Sequence, residues 1–231
     1  MIILGMDTSS ANACVALMND EKIIGEYTVS HDRTHSQIIM PMLDDMMKKC
    51  GVALEDVDVF AVATGPGSFT GLRIGISTVK TFAQVLKKPI VGISSLESLA
   101  ANVTYDGFVC PIADARRDRV YNAVYKSGEC IVEPRVTPVA ELADELGDKN
   151  VMFLGDGMLK YGDLILNSSP ELFTAAPVHL NMQNASSLCA CAYKRALKGD
   201  FDNLYSLEPM YLRKSQAERE LEKSLKKSVD A

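Results

Sequence analysis

The chain has 231 residues, 47% of them hydrophobic, enough for one large domain or two small ones around a real core. A formal net charge of -6, few aromatics and no Trp argue against a stand-alone nucleic-acid binder, which needs a basic face or interleaved aromatics. No apolar run approaches the ~20 residues of a membrane span, and "MIILGMDTSS" has no basic segment ahead of its apolar one, so no membrane partner or secretory leader is expected. The six cysteines (Cys14, Cys50, Cys110, Cys130, Cys189, Cys191) show no C-x-x-C spacing. They read as reduced, buried thiols of a cytoplasmic protein.

In chain order, Ile2 to Met6, Ala13 to Met18 and Lys22 to Val29 read as three strands joined by the turns "DTSSAN" and "NDE". Asp7 closes the first strand, with the hydroxyls of Thr8 and Ser9 behind it. Its carboxylate either faces phosphates or caps its own loop as an Asx-turn, and the residues leave both readings open. "HSQIIMPMLDDMMKKC" follows as a helix ending at Gly51, with Lys48 and Lys49 in the last turn, where cations suit the dipole. Pro41 must lie near the first turn or kink this helix. His31 and His35 stand four apart, but "HDRTH" lacks the Glu of H-E-x-x-H, so solvated or capping roles are expected for them. No catalytic triad is legible.

"VDVFAVAT" (Val57 to Thr64) is the fourth strand, and "ATGPGSFTGLRIG" turns it into a helix starting near Ser68 or Thr70. A helix N-terminus beside glycines makes an anion site conceivable. Two phosphate loops can be tested against the letters, and neither fits. A P-loop needs Lys and Ser or Thr after its last glycine, whereas Gly71 precedes Leu72 and Arg73; a dinucleotide loop needs glycine where Thr70 stands. Pro89 to Ile93 gives a fifth strand, and "SSLESLAAN" a helix with an S-x-x-E cap at Ser94 and Glu97.

The second half repeats the opening. Phe108 to Ile112, Arg119 to Tyr125 and Cys130 to Val136 read as three strands, followed by a helix (Val139 to Leu146), a strand (Val151 to Gly155) and a helix (Asn184 to Leu197). Residue identity between the halves is negligible, so the repeat is architectural. The charged segment after Lys214 is expected to be a frayed helix or a disordered tail.

Two helices carry more apolar surface than a small sheet needs. Ile38, Ile39, Met42, Leu43, Met46, Met47 and Cys50 form two adjacent stripes on the first. Leu72, Ile76, Val79, Ala83 and Leu86 form one face of the second, where Gly71 and Gly75 allow another backbone to come close. At least one face of each helix should be core, and the remaining faces are candidate interfaces.

"GMDTSSANACVAL", "HSQIIMPML", "GPGSFTGLRIGISTVK", "PIVGISSLESLA", "ADARRDRVYNAVY" and "PMYLR" together resemble the TsaB (YeaZ) family. Its members are bacterial subunits of the machinery that makes threonylcarbamoyladenosine in tRNA, and the likeness spans Met1 to Arg213. The resemblance implies an α/β, actin-like (ASKHA) fold with mixed sheets flanked by helices: an N-terminal subdomain (1–104), a reduced C-terminal one (105–213) and a charged tail (214–231). It implies a non-catalytic subunit that binds the paralogous TsaD, works with the ATPase TsaE and meets tRNA only through that complex. In TsaD the segment matching "GISSLESLA" carries metal-binding histidines, where this chain has Ser95 and Leu99, neither of which is a fit ligand. The expected partner face is Ile38, Ile39, Met42, Leu43, Met46, Gly71, Leu72, Gly75, Ile76, Val79 and Ala83, contacting TsaD or a second copy. No cofactor is required. Weak ATP or ADP binding near that interface would fall to Asp7, Thr8, Ser9, Gly155 and Gly157. The rival readings are a metallopeptidase of the glycoprotease label, an actin-like ATPase or kinase acting alone, and a homodimeric binding module.

Overall fold

A computed structural model describes residues 1–30 and 34–213; His31 and the charged tail lie outside the described residues. The first sheet holds β1 (Ile2–Asp7), β2 (Asn12–Asn19), β3 (Lys22–Ser30), β4 (Val59–Gly65) and β5 (Ile90–Ser94), in the order β3-β2-β1-β4-β5. The second holds β6 (Phe108–Asp114), β7 (Arg119–Lys126), β8 (Glu129–Pro138), β9 (Val151–Leu154) and β10 (Phe173–Ala175), in the order β10-β9-β6-β7-β8. In each sheet an antiparallel meander opens the unit, and parallel strands then extend it from the first strand outward. The repeat expected from the order of elements is therefore a repeat of topology. Central strands must be apolar on both faces, and β4, "VFAVATG", is buried throughout.

Helices α1 (His35–Cys50) and α2 (Phe69–Leu86) cover one face of the first sheet, packing Ile39, Met42, Met46, Ile76 and Val79 onto Leu4, Met6, Val15 and Phe60. The opposite face is covered by α6 (Ala185–Ala196), which returns from the far end of the chain to set Leu188, Cys189 and Ala192 against Ile3, Val59 and Val91. Residues 185–196 thus pack with the first sheet, although the boundary expected from sequence put them in the second subdomain. On the second sheet, α4 (Val139–Leu146) and α5 (Gly157–Ser168) bury Leu142, Met158, Tyr161 and Ile165 on one face. The short α3 (Ser95–Ala100) buries Leu96 and Leu99 on the other.

Several local expectations change. The α5 helix and β10 carry no clear periodic signal, because Gly157 and Gly162 interrupt the pattern that Met158, Tyr161 and Ile165 complete by burial. Pro41 lies inside α1 with its ring exposed, and the helix continues through it. The S-x-x-E cap does not form: Ser94 Oγ has no partner, and it is Ser95 Oγ that donates to the Pro66 carbonyl. Cys14, Cys110, Cys189 and Cys191 are buried as expected, whereas Cys130 is exposed on β8.

The β5 edge is closed by the end of α6 and the chain that follows it. Asp202 N donates to Ile90 O at 2.9 Å, Gly92 N donates to Asp202 Oδ2 at 2.7 Å, and Arg195 Nη1 donates to Gly92 O at 2.8 Å. Filling an edge strand's backbone groups in this way removes a template for strand addition. The first core depends on volume instead, since Phe60 is fully buried and meets Phe82 at 5.9 Å between centroids. Phe60→Ala should cost about 3–5 kcal/mol of unfolding free energy, read from urea denaturation; a cost below ~1 kcal/mol would mean that the site collapses freely.

Candidate functional site: a closed turn and an open helix pair

The β1–β2 turn lies directly on the start of α2. Ser9 N donates to Asp7 Oδ1 at 2.7 Å, which is the Asx-turn. Thr8 Oγ1 donates to Gly71 O at 2.7 Å, and Ser68 N donates to Ser9 O at 2.7 Å. Ser68 Oγ accepts Gly71 N at 3.2 Å as the α2 N-cap. From α1, His35 Nε2 donates to Ser10 O at 2.9 Å. A Cβ on Gly67 or Gly71 would overlap the carbonyl oxygens of Ser9 and Thr8, and one on Gly75 would stand 2.5 Å from Thr8 Oγ1. The glycine spacing therefore serves a close approach within the chain, and two of the N–H groups at the α2 start, those of Ser68 and Gly71, are already used. The expectation that Gly71 and Gly75 admit a partner's backbone meets a contact inside the chain: Gly71 admits the Thr8 carbonyl and Gly75 the Thr8 hydroxyl.

Asp7 is fully buried at this turn, and its Oδ2 has no hydrogen-bond partner. Burial pushes its carboxyl above the ordinary 3.8, against the hydrogen bonds from Ser9 and the nearby His35. Thr8 and Ser9 are buried with it. Gly155 and Gly157 lie elsewhere, turning β9 into α5. Gly155 N donates to Asn181 Oδ1 at 2.7 Å, and both glycines press on Ile112.

The remaining expected partner residues are mostly core. Ile39, Met42, Met46, Ile76, Val79 and Ala83 are buried against the first sheet and Leu72 is buried beside Gly65, whereas Leu43, buried in the same core, also lines the open groove, so most of the stripe residues hold the fold together. Ile38 alone is half-buried. What stays open is the seam between the helices, an apolar groove of about 510 Å³ lined by Met40, Leu43, Met47, Val52, Leu54 and Phe82, with Asp44 and Lys48 at its rim. Met40 is 44% exposed, and Val85 on α2 is 72% exposed. Sequence periodicity missed Met40, Phe82 and Val85 because they fall outside the buried stripes; large apolar residues on an otherwise polar flank were the available signal.

The other flank of α2 is covered. After α6, residues 200–213 run back as a strap in which Tyr211 stacks on Phe69 (4.5 Å between centroids, 6° between planes) and accepts from Arg73 Nε at 2.8 Å. Lys80 Nζ donates to Tyr205 O at 3.4 Å and Leu207 O at 3.1 Å. "PMYLR" is the sequence trace of this strap. On α3, Ser95 and Leu99 are buried, the first on the Pro66 carbonyl and the second in the core. Among the described residues no three His, Cys, Asp or Glu side chains gather as metal ligands. None of the described helices is long and apolar enough to cross a membrane.

Two like sheets, each a three-strand meander extended by parallel strands and packed by helices, define an α/β protein of the actin-like class. A ROK hexokinase from Thermus thermophilus shares that fold, with a TM-score of 0.50 at 9% identity over 86% of this chain and 99% of that one. The family profile described as "TsaD: tRNA N6-adenosine threonylcarbamoyltransferase" matches residues 22–221. The tRNA threonylcarbamoyladenosine biosynthesis protein TsaB of Bacillus subtilis is 35% identical, over 94% of this chain and 96% of its own length. YeaZ from Pseudomonas aeruginosa superposes with a TM-score of 0.76 at 29% identity, over 91% and 99% of the two chains. The chain belongs to the TsaB family of tRNA threonylcarbamoyladenosine biosynthesis proteins.

Packing of the turn can be tested with a pair of glycines. Gly71→Ala should destabilise by more than about 2 kcal/mol because the Thr8 carbonyl cannot retreat. Gly162→Ala in α5, where a Cβ meets only Met158 Cε at 3.5 Å, should stabilise by about 0.5–1 kcal/mol; equal effects in thermal melts would refute the account. Asp7 gives a pH test. The folded state holds the Asp7 proton more tightly than the unfolded state, so stability falls as pH rises from 3.8 through the raised folded value. Asp7→Asn should therefore gain on the native chain across that interval, seen as diverging urea midpoints. A constant gap at every pH would contradict it.

Proposed function

We propose that this chain is a non-catalytic subunit that docks the catalytic TsaD-type subunit on its α1–α2 face and so supports threonylcarbamoyl transfer to a tRNA adenosine. The observation that carries this reading is the open apolar seam between two helices whose regular apolar faces lie on the sheet, with one flank of α2 held by the strap. An apolar groove rimmed by charge suits a partner helix, with the large side chains around Met40 and Phe82 as anchors. The profile match to TsaD and the relatives named TsaB favour a partner from that same family.

The absence of catalysis is part of the proposal. Where the resemblance places the histidines of TsaD, Ser95 and Leu99 are committed to packing and to a backbone carbonyl. Cooperation with TsaE, and contact with tRNA only through the assembly, follow from the same reading. Weak ATP or ADP binding near the partner interface stays part of the same reading; in the β1–β2 turn Asp7 Oδ2 and Ser9 Oγ are buried without a hydrogen-bond partner. Pairing of two copies through the same groove is the competing use of that face.

Met40→Glu places a charge in the groove at a side chain that is already 44% exposed, so the fold should survive. Affinity for a TsaD-type subunit, measured by titration calorimetry, should fall by at least ~30-fold, the effect of an anchor residue. Unchanged affinity in a folded variant would move the interface elsewhere. Loss of self-association without loss of subunit binding would assign the groove to a second copy.

A further inference from the structure

The strap touches more than α2. Met210 N donates to Thr64 O at 2.7 Å, at the end of β4, and Arg213 Nη1 donates to the carbonyls of Ala115 and Arg116 at the tip of the β6–β7 turn. One segment thus joins the start of α2 in the first subdomain to a turn in the second.

That turn has an unusual backbone. Arg116, Arg117 and Asp118 are three successive non-glycine residues with φ of 61°, 57° and 53°. L-residues avoid this region because Cβ crowds the following carbonyl, and a run of three persists only where its surroundings over-determine it. Asp114 Oδ1 accepts Arg116 N at 2.8 Å, Ala115 N donates to Arg119 O at 2.9 Å, and Val139 N donates to Asp118 O at 3.0 Å. Those restraints come from the second sheet and its own helix; Arg213 supplies one from the strap. Asp114 also faces Tyr161 and Lys160 from α5. The side chains of Arg116, Arg117 and Arg119 are exposed, and none has an ion-pair partner among the described residues.

We propose that the strap couples the two subdomains: Tyr211, seated on α2, and Arg213, holding the Ala115 and Arg116 carbonyls, are positioning residues that tie the arginine turn to the docking helix. Their functional weight rests on the docking reading given above, but the coupling itself is a property of the isolated chain. A displacement of α2 at Phe69 or Arg73 is passed through Tyr211 to Arg213, and the turn relaxes from its left-handed conformation when that hold is lost. The three guanidinium groups are then no longer presented at a fixed place relative to α2.

The test is a double-mutant cycle read by amide hydrogen exchange at residues 116–119 of the full chain, with thermal melting as the measure of global stability. Tyr211→Ala and Arg213→Met should each speed exchange in the turn by about tenfold, and the double variant should be no faster than the faster single one. Tyr211→Phe, which keeps the stack on Phe69, should restore most of the protection. Unchanged exchange in both single variants, or effects that multiply in the double variant, would overturn the coupling. Adding a TsaD-type subunit to the native chain should slow exchange at the turn as well as on α1 and α2. With Arg213→Met it should slow exchange on the helices alone, and equal protection of the turn would again overturn the proposal. Absence of protection everywhere would count against the docking reading, while the cycle still decides the strap.

Discussion

The rest of the structure depends on one contact, the seating of the β1–β2 turn on the first turns of α2. Three glycines remove the side chains that would keep the two backbones apart, and the donors released at the helix start are taken up by Ser9 O and Ser68 Oγ. With α2 fixed there, its apolar face meets the sheet, α1 packs beside it, and the seam between the helices becomes a defined groove. The strap then has a rigid surface on which Tyr211 can stack. A phosphate-binding loop would leave those donors free; here they are spent on holding α2 in place.

The second half reuses the same construction with a different result. Asp7 and Asp114 each end the first strand of a sheet and each accept the backbone N–H two residues on. Gly65 is the last residue of the fourth strand of the first sheet and Gly155 directly follows β9, the fourth of the second, with φ of 110° and 111°. In the first half the turn is buried against a helix and its aspartate is left with an unpartnered oxygen. In the second, the aspartate is satisfied by Tyr161 and Lys160, and the turn projects into solvent with its arginines exposed. One topology thus yields a closed seat for a helix and an open charged turn, according to the residues that follow the aspartate.

Most elements were legible because burial periodicity and turn chemistry are local. The meander, α1, α2 and α4 announce themselves through alternation, stripes and caps. The α5 helix was not, since its helical pattern is broken by two glycines, of which Gly157 packs on Ile112 of β6 while Gly162 has only the Met158 methyl beside it. The site was legible in part. Periodicity located the two helices, but it marked their most regular apolar positions, and regularity is the signature of core. The open groove combines Met40 and Phe82, which lie outside the regular stripes, with Leu43 and Met47 from within them, and Val85 is exposed on α2.

By itself the sequence determined the kind of elements, their order, the doubled topology and the family likeness, because these rest on short-range patterns that each segment carries independently. Only the tertiary structure decided which apolar faces are spent, since burial is a property of two surfaces meeting. It showed that the glycines of "GPGSFTGLRIG" answer to Thr8 and Ser9, some sixty residues earlier in the sequence, that α6 returns to the first sheet, and that the strap reaches from α2 to the arginine turn. Such long-range pairings carry no local signature, because each partner segment is compatible with many others until the chain closes on one of them.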